Sequence, residues 1–580
     1  MNEHKGREPG TGIFRFMFFA LALILLFCTT HGIAASGTPQ PALIAGVTSG
    51  EALRLGEQMY REGVLPSGEQ MQSIVQGDIP VVGGNFTCTN CHQRSGFGSA
   101  EGLVRTTPID GTRLFLPLSK FKGIPVAKSR RSAMIQNDEE LYRPAYTDET
   151  LARVMRTGED SKGRQISDTM PKYLLDGRDM EILIYYLKNL SSVQEPGVTD
   201  ETLHLATVIT DEVPKEDREA MLGPLQFYIS NWRLSRQMER SARSGAYLQE
   251  GTAQALRAVS LTVWDLKGPA ESWQTQLEEY YRKGPVFALV GGITTGEWAP
   301  IHRFCEKHKI PSVFPITDFP VISDTDWYTL YLSKGLYQEG ETAARFLHGR
   351  DELSREVSVV QVFRKDRAGL ALSKYFQETW QGLGHKAAQD HALAGNETLT
   401  ADFWKRLAFE HKNAVLVLWL TAKDFPDLAN FPGQKNQTGF IFASSSLLGK
   451  RLYTLPDKER KSVYITYPYS LPREARVYRE NIAASLKNNK VPITNLDIEL
   501  KMYSLFSMLS GPLGRMRSYA YRDYFIELLE ATPDLSVVPV TYPRLSFGSG
   551  QRYASKGCYI VQLTEGPNPE LVKKSEWVIH

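Results

Sequence analysis

Five consecutive residues, Cys88-Thr89-Asn90-Cys91-His92, constrain this chain more than any others. Two thiols at this spacing can add to the vinyl groups of a haem while the adjacent imidazole ligates its iron. Two other chemistries use paired cysteines. A zinc site needs a second Cys/His pair, and the sequence offers none; a dithiol redox motif has no use for His92. The spacing therefore predicts one covalently attached haem c, held by Cys88, Cys91 and His92.

Covalent attachment of this kind belongs with export, and the N-terminus carries the matching pattern. Lys5 and Arg7 precede an apolar run from Phe14 to Phe27 that ends near Ala34-Ala35-Ser36, which reads as a cleavable secretory signal over residues 1–36. Arg15 interrupts the run, which falls short of the ~20 apolar residues of a spanning helix, so a retained anchor is the weaker reading. Cleavage would remove Cys28 and leave Cys88, Cys91, Cys305 and Cys558. The last two are a candidate disulfide or two free thiols. Sixty-seven basic against 65 acidic residues give a net charge of +2, a balance that argues against nucleic acid as a partner.

A chain of 580 residues implies several cores. The clearest break in composition is the polar, Pro/Gly-containing stretch Leu190 to Val198, which divides residues 37–195 from 196–580. Before it, Leu53, Gly56 and Tyr60 share one helical face, and Ile182, Leu183, Tyr186, Leu187 and Leu190 share another. From Thr48 to Ser192 the order of these features resembles class I, mono-haem cytochrome c, an all-α domain whose first and last helices cross at a small residue and an aromatic. The resemblance implies contacts among Gly56, Tyr60 and Tyr186. It also implies an axial methionine in a loop before the last helix, where Ser167-Asp168-Thr169-Met170-Pro171 stands. Pro171 holds Met170 in extended backbone, so Met170 is the expected sixth ligand. The rivals Met155 and Met180 lie in helical patterns, where methionine fills cores. Pro108 matches the family residue whose carbonyl accepts the proximal imidazole's N–H. The basic run Lys120 to Arg131 is either a solvated loop or a dock for an acidic partner. Imidazole and thioether together leave no open iron position, which favours electron transfer over catalysis at the metal.

After the break, β-rich runs at Leu203–Ile209, Ala258–Val263, Val286–Val290, Val357–Phe363, Ala414–Leu420 and Gly439–Phe442 alternate with amphipathic stretches, the pattern of parallel sheets covered by helices. Neither a Gly-x-Gly-x-x-Gly after a strand nor a Gly-x-x-x-x-Gly-Lys occurs, so a nucleotide would find no phosphate cradle. The stretches Gly284 to Thr295, Lys309 to Asp318 and Gly335 to Gly340, with the tail from Tyr542 to Leu563, resemble type I periplasmic solute-binding proteins of the branched-chain amino acid group. That resemblance implies two α/β lobes around a cleft, with Thr294, Thr295, Thr317 and Asp318 at ligand-contacting positions; short hydroxyl residues there can equally cap helices. Where amino-acid binders of the group place an acid for the ligand ammonium, this chain offers Ser444-Ser445-Ser446, which argues against ordinary amino acids. His302 and His308 read as surface or packing residues. No nucleophile–base pair emerges.

The sequence thus predicts an all-α cytochrome c domain followed by a two-lobed α/β domain, in a periplasmic protein that carries single electrons and is not an enzyme. Its expected partners are a periplasmic dehydrogenase or another cytochrome, with a small-molecule ligand in the cleft. The alternatives are the solute-binding component of an ABC transporter and a ligand-responsive redox sensor.

Overall fold

The fold was analysed in a computed structural model that describes residues 43–101, 104–117, 143–244, 257–350, 357–411, 414–425, 440–517, 519–532, 540–548 and 550–579. The signal sequence and the basic run Lys120 to Arg131 lie outside the described residues.

The chain begins with helix α1 (Ser49–Glu62), which Thr48 caps by accepting from the Glu51 N–H and which Gly63 ends in a left-handed conformation. A hairpin follows, β1 (Gln72–Val75) and β2 (Ile79–Val82), turned through Gln76 and Gly77 at φ +49° and +94°. Next come the short helix α2 (Cys88–His92), the paired strands β3 (Ala100–Glu101) and β4 (Val104–Arg105), and helices α3 (Gly111–Leu114) and α4 (Asp148–Thr157). Strand β5 (Lys172–Tyr173) joins β1 antiparallel before helix α5 (Gly177–Asn189).

The two long helices cross as their faces predict. At Gly56 the approach is so close that a Cβ would lie 2.4 Å from Tyr186 Cβ, and the Tyr60 and Tyr186 ring centroids are 5.4 Å apart. The expectation of an all-α domain is corrected: the β-branched residues on either side of Gly77 pair as a hairpin, and β5 extends it to three strands.

Residues from Thr202 onward form two α/β lobes. In lobe one, β6 (Thr202–Thr210), α6 (Lys215–Ser244), β7 (Ala258–Leu266), α7 (Trp273–Lys283), β8 (Ala288–Val290), α8 (Ala299–His308), β9 (Ser312–Val313) and β10 (Thr329–Ser333) build a parallel sheet of order β16-β10-β9-β8-β6-β7. Its edge strand β16 (Tyr553–Ser555) arrives from far down the chain. Lobe two holds α9 (Tyr337–His348), β11 (Val359–Arg364), α10 (Arg367–Gly382), β12 (Gln389–Leu393), α11 (Ala401–Glu410), β13 (Val415–Trp419), β14 (Ile441–Ser444) and β15 (Val463–Tyr467). Its sheet is parallel through β15 and continues antiparallel with β17 (Gly557–Leu563), on which β18 (Leu571–Lys573) and β19 (Val578–Ile579) also pair. The near-continuous apolar runs of β8, β11 and β13 are buried on both faces, as strands covered by helices must be.

The chain passes between the lobes after β10, after β15 and between β16 and β17. On the second passage it forms α14 (Pro472–Asn488), α15 (Leu496–Met516) and α16 (Arg522–Glu530), numbered after the short helices α12 (Ser445–Leu448) and α13 (Asp457–Arg460). Met502, Leu505, Met508, Phe525 and Leu529 from α15 and α16 belong to the lobe-one core. Cys305 and Cys558 are free, buried thiols, one on a helix of lobe one and the other on a strand of lobe two.

Candidate functional site

Cys88, Cys91 and His92 occupy a single short helix, and the loop around it is tied down by hydrogen bonds. Tyr60 Oη donates to the Gln93 carbonyl at 2.7 Å, the Gly98 N–H donates to the His92 carbonyl at 3.0 Å, and the Ser99 and Thr106 hydroxyls both donate to the Cys91 carbonyl. His92 is buried, with Nδ1 3.0 Å from the Thr107 carbonyl oxygen. A carbonyl only accepts, so Nδ1 carries the hydrogen and Nε2 the lone pair. Burial lowers the imidazole's pKa and the Thr107 bond opposes it, which keeps the ring in its neutral, ligating form. The expected acceptor, the Pro108 carbonyl, is corrected to that of Thr107, one residue earlier; it is the carbonyl before the proline ring that faces His92.

Met170 sits in a turn, its N–H bonded to the Ser167 carbonyl at 3.1 Å, between α4 and β5. The hairpin braces this loop: the Gln76 N–H donates to the Asp168 carbonyl, and the Leu174 N–H to that of Gln72. Met170 and Cys88 are both partly buried against the same apolar core. Met155 and Met180 are buried within α4 and α5, as core-filling methionines would be. Cys88 Sγ lies 3.7 Å from Tyr173 Oη, and burial pushes its thiol up to about 11. These residues fit a covalent haem: two sulfurs on one turn, an imidazole with a fixed outer nitrogen, and a loop methionine on the same core.

Residues invisible to pattern reading bind this region to lobe one. Ser95 donates from both its N–H and its hydroxyl to Glu527 of α16, Arg61 of α1 pairs with Asp523 at 2.6 Å, and Phe97 stacks on Tyr524 with centroids 4.5 Å apart. The Arg94 guanidinium lies 3.9 Å from the Trp327 ring centroid. The stretch Leu190 to Val198 exposes Val193 and Gln194 but is packed against lobe one at Glu195 and Gly197. Glu195 approaches Arg522, whose guanidinium donates to the Val286, Phe287 and His308 carbonyls, and a Cβ on Gly197 would lie 2.1 Å from the Phe287 nitrogen.

In the lobes, Thr294 is buried. Its hydroxyl lies 3.4 Å from Glu212 and accepts from the Gly296 N–H at 3.0 Å. Thr317 Oγ1 donates to the Gly296 carbonyl and accepts from the Phe319 N–H, while Thr295 and Asp318 are exposed. Ser444 ends β14, Ser445 and Ser446 open α12, and Glu339 of α9 stands against them. Its Oε2 accepts from Thr466 at 2.6 Å, and Oε1 has no hydrogen-bond partner. Burial raises the Glu339 carboxyl to about 7, the Ser446, Thr466 and Ser444 hydroxyls pull it down, and Asp318 pushes it up. α9 thus places a buried carboxyl against the hydroxyls of Ser444, Ser446 and Thr466. Pattern reading had no clear signal for it, because the buried face of α9 also carries Gln338, Glu341 and Thr342.

His302 is a packing residue, bonded to Tyr331 and Asp326. No helix among the described residues is long and apolar enough to cross a membrane.

No protein-family model and no curated protein matches this chain. Among solved structures, a fatty acid ABC transporter substrate-binding protein from Thermomonospora curvata is 16% identical with a TM-score of 0.44, over 67% of this chain and 95% of that one. An ABC transporter substrate-binding protein from Sphaerobacter thermophilus is 12% identical at 0.46, over 64% and 97%. A branched chain amino acid ABC transporter from Thermus thermophilus with bound valine is 11% identical at 0.45, over 66% and 97%.

Proposed function

We propose that this chain is an exported electron carrier, with one covalent haem c in residues 37–195 and a two-lobed solute receptor of the type I periplasmic kind in residues 196–580. The observation that carries the haem reading is the placing of Cys88, Cys91 and His92 on one turn with His92 Nδ1 committed to the Thr107 carbonyl. Cys88 and Cys91 would attach the group, and His92 and Met170 would ligate its iron. Bound in this way, haem supplies reversible one-electron transfer. The chain's own contribution is to keep His92 neutral and oriented, to hold Met170 in a braced loop, and to exclude water with the core of α1, α4 and α5. A dehydrogenase or another cytochrome of the same compartment would be the redox partner.

The test is haem staining on a denaturing gel after expression with cytochrome maturation. The parent chain should stain, and Cys88→Ser/Cys91→Ser should not; staining that survives both changes overturns the attachment site.

A second reading, the solute-binding component of an ABC transporter, is favoured by the two lobes and their three connecting passages. Thermal shifts across a metabolite library with the haem reduced and oxidised separate the two. A ligand that stabilises both forms equally supports transport, and one that prefers a redox state supports a sensor.

A further inference from the structure

The hydroxyls expected to receive a ligand carboxylate are already committed within the protein. Thr294 and Thr317 Oγ1 are engaged with Gly296 and Phe319, and Glu212 stands beside Thr294, where it would repel a second carboxylate. Two acids from the two lobes come near each other instead. Asp318 is exposed on lobe one, and Glu339, 0% exposed on lobe two, is close enough to feel its charge. Glu339 Oε2 is satisfied by Thr466, but Oε1 is buried with no hydrogen bond, and such a group is costly unless something completes it. The hydroxyls of Ser444, Ser446 and Thr466 stand close to it.

Two cations lie nearby, and neither completes Glu339. Arg367 pairs with Glu297 across the lobes at 3.1 Å. Burial works against the charge of Lys501, and Tyr542, Asp318, Asp497 and Asp217 more than restore it.

Resting on the reading that the lobes hold a solute, we propose that the cleft takes an organic amine lacking a carboxylate, with its ammonium between Asp318 of lobe one and Glu339 of lobe two. An ammonium supplies three N–H donors and the positive charge that Glu339 lacks, beside an Asp318 that already acts on Lys501. Because it would touch both lobes, such a ligand would favour their closed arrangement. An amino acid brings the same ammonium, but its carboxylate would meet Glu212 and the occupied threonine hydroxyls.

The experiment uses the intact haem-loaded protein and calorimetric titration with leucine, 3-methylbutylamine (leucine without its carboxylate) and 4-methylpentanoate (leucine without its amine), with putrescine as a diamine. At least one amine should bind, and leucine and 4-methylpentanoate should bind at least tenfold more weakly or not at all. Glu339→Gln should weaken the amine at least tenfold without changing the melting temperature. Asp318→Asn, at an exposed side chain, gives the same readout should the Glu339 variant fail to fold. Binding of leucine or 4-methylpentanoate as tight as the amine overturns the amine assignment and leaves solute binding standing. No response to either amine at millimolar concentration overturns it as well, and the library screen then decides whether the lobes bind any solute. Amine binding indifferent to both substitutions removes it from this site.

Discussion

Glu527 of the lobe-one helix α16 accepts two hydrogen bonds from Ser95, one from its N–H at 2.8 Å and one from its hydroxyl, three residues beyond His92. Lobe one therefore grips the loop that leaves the Cys-His turn. Asp523, one turn earlier, holds Arg61 of α1 and Tyr328, so α16 is fastened to the N-terminal unit at two successive turns. Any change in lobe one that shifts α16 is felt at the backbone of this loop.

Burial raises the Glu527 carboxyl to about 8, against the pull of its two Ser95 hydrogen bonds. With a folded pKa above the unfolded value near 4.5, the folded state holds the proton that the unfolded state has already lost. The resulting stability is complete below the unfolded pKa and declines as pH rises through about 8. Thermal melts from pH 5 to 9 should show this decline, and Glu527→Gln should flatten it. An equal slope in both proteins would assign the pH dependence elsewhere.

Gly56→Ala inserts a methyl group where Tyr186 Cβ already stands at 2.4 Å. Separating α1 from α5 should cost about 1–3 kcal/mol, the range for overpacking a core. Chemical denaturation read by tyrosine signals of the N-terminal unit measures it, and an unchanged midpoint would contradict the close crossing.

On the proposed ligation, Met170→Ala should abolish the near-infrared sulfur-to-iron band and lower the reduction potential, because a thioether ligand favours the reduced iron. Met155→Leu and Met180→Leu should leave both unchanged. A spectrum indifferent to Met170 would reassign the sixth ligand.

Arg522 is buried and donates to carbonyls at the ends of β8 and α8. Arg522→Met leaves those acceptors unsatisfied and should destabilise lobe one by about 2 kcal/mol or more, since hydrogen bonds to charged groups contribute about 1.5–3 kcal/mol each. Urea denaturation checks it; a loss under about 0.5 kcal/mol would mean that water replaces the guanidinium.

Periodicity and spacing carried the local part of this structure. The crossing of α1 and α5 was legible because helical faces repeat every three to four residues and Gly56 marks a close approach. Strands β8, β11 and β13 were legible because strands covered on two sides must be continuously apolar, whereas the half-exposed β12 was not. Met170 was separable from Met155 and Met180 by its proline and its polar neighbours. The hairpin at Gly77 could have been read from its β-branched flanks, and was hidden by the expectation of an all-α domain.

What the sequence alone determined is the chemistry available at each short stretch: two thiols and an imidazole on one turn, a methionine in a loop, and strands that need helical cover. Tertiary structure decided which distant groups complete those stretches. Thr107 rather than Pro108 receives His92, Glu339 comes to the serines at the end of β14 from more than a hundred residues away, and Glu527 reaches Ser95 across 432 positions. The physical reason is that a buried polar group must find a partner wherever the packed chain brings one, and sequence periodicity records which face is buried but not what lies against it.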